Sequence, residues 1–235
     1  MHVDLLPLLR CLVRHEDAPL IAAVTHASEG RIVTGTLGCA VCGAEYAIRE
    51  GNAHFGAAGH ATADAGDAVA VTDDEVTRLA AMLNLDERGG VWALGGRWSA
   101  FGAALADMFA KTSAASVPVR ILLLPDDTVP RAADGRAQER PASASPAILA
   151  IANAIPLAAG SLRGIAIDRA SAGLGAAAAR VLAANGRLVA PVAAPVPAGV
   201  RELARDARHW VGEREHDASG PLVIPRRAAP RTVSR

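Results

Sequence analysis

Two pairs of soft metal-ligating side chains lie near the start of the chain, Cys11-x3-His15 and Cys39-x2-Cys42. Zinc binds thiolate and imidazole in a tetrahedron, and two such half-sites about 25 residues apart are the spacing of a zinc ribbon with two knuckles. Gly38 precedes Cys39 and Gly43 follows Cys42. Glycine beside a metal-binding cysteine lets the backbone turn so that its amides face the thiolate. The spacing predicts Cys11, His15, Cys39 and Cys42 as the four ligands, with His26 and His54 as the other histidines of the same module. Four protein ligands close the coordination sphere, so the expected zinc is structural, and its binding energy is folding energy for a segment with little apolar mass.

The elements that must position these residues are short. Leu5 to Leu9 reads as a short helix leading into Cys11, Arg31 to Leu37 as a β-branched strand, and Tyr46 to Arg49 as a last strand ended by Glu50-Gly51-Asn52. Residues 1–56 thus form a zinc-ribbon domain. Residues 57–72 are small and rich in Gly, Ala and Asp, the composition of a linker. Asp73-Asp74-Glu75 opens a helix with acids at its positive end, followed by Val76, Leu79, Ala80 and Leu83 at helical spacing.

From residue 91 strands and helices alternate. Strands are expected at Val91–Leu94, Val119–Leu124, Ala147–Ala152, Arg163–Ile167 and Arg187–Val192, and helices at Ser99–Ala110, Ala170–Ala184 and Val200–Ala207. His209–Glu215 and Leu222–Arg226 are read as a closing antiparallel hairpin. Continuous apolar strands alternating with helices give an α/β fold class, a doubly wound, mostly parallel sheet over residues 73–226. Residues 227–235 form a basic tail.

Composition narrows the function classes. The 235 residues carry zero formal net charge, so no overall pull toward nucleic acid or anionic membrane exists, and only the terminal arginines offer a phosphate-contacting patch. All three cysteines fall in the metal pattern, which fits a reducing, cytoplasmic setting better than a disulfide framework. No signal peptide and no membrane-spanning run is expected.

Two resemblances follow from quoted stretches. Cys39, Cys42, Gly43, Tyr46, Ile48 and Gly51 resemble the Cys-x2-Cys-Gly…Tyr-x-Ile-x-x-Gly ending of the small zinc-binding subunits that activate tRNA, rRNA and release-factor methyltransferases. In the first knuckle, Arg14 stands near the family's second cysteine, with His15 one residue later. The remainder resembles a class I methyltransferase that uses S-adenosylmethionine (SAM). Val91 to Ser99 matches its first strand and cofactor turn, and Arg180-Val181-Leu182 through Arg187-Leu188-Val189 matches its later helix-to-strand turn.

That resemblance implies SAM contacts at Gly95, Gly96, Asp126 (or Asp127) and Asn153. It also shows departures. Ala93 stands at the acidic position, and Arg97 and Ser99 stand at the second and third glycines, where Arg97 should crowd the cofactor. Asp168, after the fourth strand, is read as a solvated helix cap in preference to a general base. The resulting expectation is a zinc-binding, methyltransferase-like protein with weakened or lost SAM binding. It would act through a protein partner, a methyltransferase or a translation-related factor. An active methyltransferase of unknown substrate is the alternative, and a nucleic-acid binder using the tail is a third reading.

Overall fold

The computed structural model describes residues 1–56, 70–85, 89–112, 119–124, 147–150, 154–169 and 171–216. After a 3-10 turn at Val3–Leu8, four antiparallel strands follow: β1 (Leu20–Ser28), β2 (Arg31–Cys39), β3 (Glu45–Arg49) and β4 (Asn52–His54). Two of their hairpins close on a Glu-Gly pair with positive φ at both residues, Glu29-Gly30 and Glu50-Gly51. Such two-residue turns match the twist of the flanking strands.

Next come helix α1 (Asp73–Met82), β5 (Gly90–Gly95), a 3-10 turn at Gly96–Phe101, α2 (Gly102–Thr112), β6 (Val119–Leu124) and β7 (Ala147–Ala150). β8 (Leu162–Ala166), α3 (Gly175–Val181), β9 (Leu182–Pro191), β10 (Val200–Arg205) and β11 (His209–Arg214) complete the described chain. Thr72 caps α1, its hydroxyl accepting from the Glu75 N–H, and the expected apolar stripe Val76, Leu79, Ala80 and Leu83 is buried.

The strands of the described residues join one 11-stranded sheet in the order β1-β2-β3-β4-β7-β6-β5-β8-β9-β11-β10. The run from β4 through β9 is parallel and β11 runs antiparallel between β9 and β10. From residue 73 onward, the expected α/β, mostly parallel architecture with an antiparallel terminal hairpin is therefore observed.

The four-stranded N-terminal segment is hydrogen-bonded into this sheet through Ala53↔Leu149 and His54↔Ala150. A second seam lies beside it. The Arg10 N–H donates to the Pro156 carbonyl and the Ala158 N–H to the Leu8 carbonyl. Alternation along β5 divides the interior. Trp92 and Leu94 face a core with α1 and α2, whereas Ala93 faces a larger core that includes α3 and also Leu5, Leu9, Ile32, Leu37 and Ile48.

Three expectations are corrected. Val200–Ala207 is not a helix: Val200–Arg205 is strand β10. Arg-Glu-Leu-Ala-Arg has high helix propensity, but pairing with β11 and the Arg201–Glu213 ion pair override it. The hairpin partner of β11 is accordingly β10, while Leu222–Arg226 lies outside the described residues. The helix expected over 170–184 is only Gly175–Val181, because Leu182 already pairs with Leu162 and opens β9. Strand β1 was not expected. It carries no charged residue and is exposed over most of its length, so no amphipathic alternation marks it.

Candidate functional site

The two knuckles converge. One ligand atom from each of Cys11, His15, Cys39 and Cys42 can be chosen so that all four lie within 4.8 Å of one another. Cys11 Sγ is 3.6 Å from Cys42 Sγ, and Cys39 Sγ is 3.4 Å from His15 Nε2. A zinc tetrahedron with bonds of about 2.3 Å to sulfur and 2.0–2.1 Å to nitrogen has edges of roughly 3.5–3.8 Å, so the cage fits the ion. His15 Nδ1 lies 2.5 Å from the Glu16 carbonyl. A proton held there leaves Nε2 free to ligate, the outer partner that metal-bound histidines use.

Tyr46 supports the cage from β3. The Leu12 N–H donates to its hydroxyl at 3.1 Å, and the hydroxyl lies 3.4 Å from Cys11 Sγ, while Phe55 packs on its ring at 4.8 Å. Burial alone would raise the Cys11 thiol. Hydrogen bonds from Tyr46, the Val13 backbone and the other two cysteines outweigh it and hold the thiol below its ordinary value. Cys39 is likewise lowered, chiefly by the Cys42 backbone N–H. Tyr46 is raised, first by burial and then by its bond to Cys11. The second knuckle turns as its glycine suggests: Gly43 has φ +73° and its N–H donates to the Cys39 carbonyl at 2.9 Å. His26 lies on exposed β1 and His54 on β4, outside the cage.

The second site lies at the carboxyl ends of β5 and β8. β5 leads to β6 on one side and has β8 on the other, so the strand order reverses here; open α/β sheets bind ligands at such a switch point. Gly95 and Gly96 are both at this point and buried. The chain then turns as a 3-10 helix tied to its own strands. The Ser99 hydroxyl donates to the Leu94 carbonyl at 3.0 Å, and the Trp98 indole N–H donates to the Ile167 carbonyl at 3.2 Å. Trp98 packs against Phe101 and His209 in the α1–α2 core.

Arg97 is the exposed residue of this turn, with its guanidinium 5.4 Å from the Trp98 ring centre. Asp168 lies over the turn. It is not the solvated helix cap expected: it is only 8% exposed, and the residues at the N-cap positions of the following 3-10 turn and α3 are Ser171 and Leu174. Asp168 accepts from the Ser171 N–H at 2.9 Å, and the Ser171 hydroxyl accepts in return from the Asp168 N–H at 2.9 Å. This is the reciprocal pattern of a capping box. The other carboxylate oxygen accepts from the Arg97 N–H at 2.8 Å. The sequence missed this contact because it depends on β5 and β8 being neighbours. Asp126, Asp127 and Asn153 lie outside the described residues.

No protein-family model and no curated protein matches the chain. Among solved structures, it is similar to a complex between the Haloferax volcanii Trm112 methyltransferase activator and a methyltransferase, at 11% identity and a TM-score of 0.41, covering 61% of this chain and 95% of that chain. It is also similar to an RNA methyltransferase from Salinibacter ruber in complex with S-adenosyl-L-homocysteine, at 15% identity and 0.39, covering 63% and 95%. The antibiotic-resistance methyltransferase Kmr gives the same identity, score and coverage. Identities this low and superpositions this loose carry no residue roles across. Among the described residues, no helix is long and apolar enough to cross a membrane.

Proposed function

We propose that the chain is a zinc-binding, methyltransferase-like protein whose cofactor turn has lost most of its affinity for SAM and which acts by binding another protein. Cys11, His15, Cys39 and Cys42 hold a structural zinc; the compact four-donor cage supports this assignment. Gly95 and Gly96 are the residues assigned to the cofactor turn, at the carboxyl end of β5.

The observation that carries the loss of affinity is the closure of the Gly96–Phe101 turn on its own strands. Trp98 and Ser99 spend their donors on the Ile167 and Leu94 carbonyls, and the Arg97 N–H is spent on Asp168. A ligand at this crevice would meet these donors already satisfied from within, and displacing such bonds costs as much as it returns. The zinc-bearing end supplies the docking surface, with Val13 and Val41 exposed on the two knuckle loops. The partner class is a methyltransferase or a translation-related factor, in a cytoplasmic setting.

Calorimetric titration of the zinc-loaded protein with SAM tests this reading, and saturable stoichiometric binding at micromolar affinity would refute it. Such binding would favour the second reading, an active methyltransferase, which draws on the placement of Gly95 at the switch point between β5 and β8.

A further inference from the structure

The Asp168 carboxylate lies at the switch point of the sheet, the region where open α/β sheets bind ligands. Asp168 follows β8 by two residues, and its side chain lies directly over Gly96 at the end of β5. Gly96 has φ +56°, and a Cβ there would run into both carboxylate oxygens. The glycine that a sequence reading assigns to a cofactor is thus required by Asp168.

The carboxylate collects its donors at one point. They are the Arg97 N–H at 2.8 Å, the Ser171 N–H at 2.9 Å and the Ser171 hydroxyl at 2.7 Å. Backbone N–H groups converging after a strand are what receives a ligand's carboxylate or phosphate in related architectures. Here an internal carboxylate takes them. Asp168 makes no ion pair among the described residues, so these donors alone offset the cost of burying it.

We propose that Asp168 is an internal plug of the switch-point crevice. Its carboxylate takes the place and the donors that the amino-acid carboxylate of SAM or S-adenosylhomocysteine would need, and it repels that group by like charge. The inference rests on the methyltransferase-like reading above and names the residue behind the weakened binding. Asp168→Ala removes both the volume and the charge. Asp168→Asn keeps the volume and one accepting oxygen but removes the charge.

The test is calorimetric titration of the full, zinc-loaded chain with S-adenosylhomocysteine, up to about 1 mM, for wild type and both variants. The expected result is a Kd for Asp168→Ala lower than that of wild type by at least about tenfold. A folded Asp168→Ala protein that binds no more tightly than wild type overturns the plug. If Asp168→Ala does not fold, Asp168→Asn decides by the direction of its change: tighter binding supports the plug and unchanged binding overturns it. The two readings fail separately. Micromolar binding by wild type sinks the claim of weakened affinity, while undetectable binding by wild type with no gain in the variants sinks the plug alone.

Discussion

Replacing His15 by Ala removes one of four ligands from a cage whose described edges are 3.4 and 3.6 Å. Three thiolates remain around a divalent ion, and water must fill the vacated corner. Loss of an outer partner alone lowers metal affinity about 10- to 100-fold, so loss of a direct ligand should exceed about 100-fold, or roughly 2.7 kcal/mol. Because zinc binding is folding energy, the variant should also melt at a lower temperature when zinc is limiting. The assay is competition for zinc against a chelating dye, with the metal-to-protein ratio measured after dialysis. His26→Ala and His54→Ala serve as controls and should keep zinc as wild type does. If His15→Ala retains full zinc against the same chelator, the fourth ligand has been misassigned and the geometric argument fails.

Other expectations follow from single contacts. Tyr46→Phe deletes the hydroxyl between Leu12 and Cys11 and should weaken zinc binding about 10- to 100-fold in the same competition assay. Leu157 is fully buried beside Leu9 at the second seam, so Leu157→Ala should cost about 2–5 kcal/mol in denaturant unfolding. Asp206 accepts from the His209 and Arg208 N–H groups and pairs with Arg78, which lower its pKa from 3.8 to about 2. Since the folded value lies below the unfolded one, its charge stabilises the fold fully above about pH 4, and this is lost as pH falls through about 2. Asp206→Asn should therefore lower the melting temperature slightly at neutral pH, by the equivalent of less than about 1 kcal/mol at this half-exposed site, with the gap closing toward pH 2.

The convergence of the Cys/His cluster was legible because its information is local: residue type and spacing within two loops single out the four residues that come together. β6 was legible to the residue from its nearly continuous apolar run, and α1 to its first residue from its helical period and its cap. β10 was misread because its residues prefer a helix and only the β11 pairing, with Arg201 facing Glu213, decides otherwise. The burial of Asp168 was illegible for a related reason. An aspartate three residues before a serine announces a cap, but nothing in that stretch says that Gly96, 72 positions earlier, will lie beneath it. What the backbone of Gly95 and Gly96 meets at the end of β5 was not foreseeable from either segment alone.

The parallel joint between β4 and β7 also has a consequence in time. A ribosome releases β4 early, but Leu149, the partner of Ala53, is made about a hundred residues later, on the order of 5–20 s at ordinary elongation rates. During that interval the N-terminal strands must persist with the β4 edge, as well as that of β1, open and part of their apolar face uncovered. Early capture of zinc would let them wait in native form. Metal starvation during synthesis should then reduce the yield of folded chain more severely than removing the metal from protein already made.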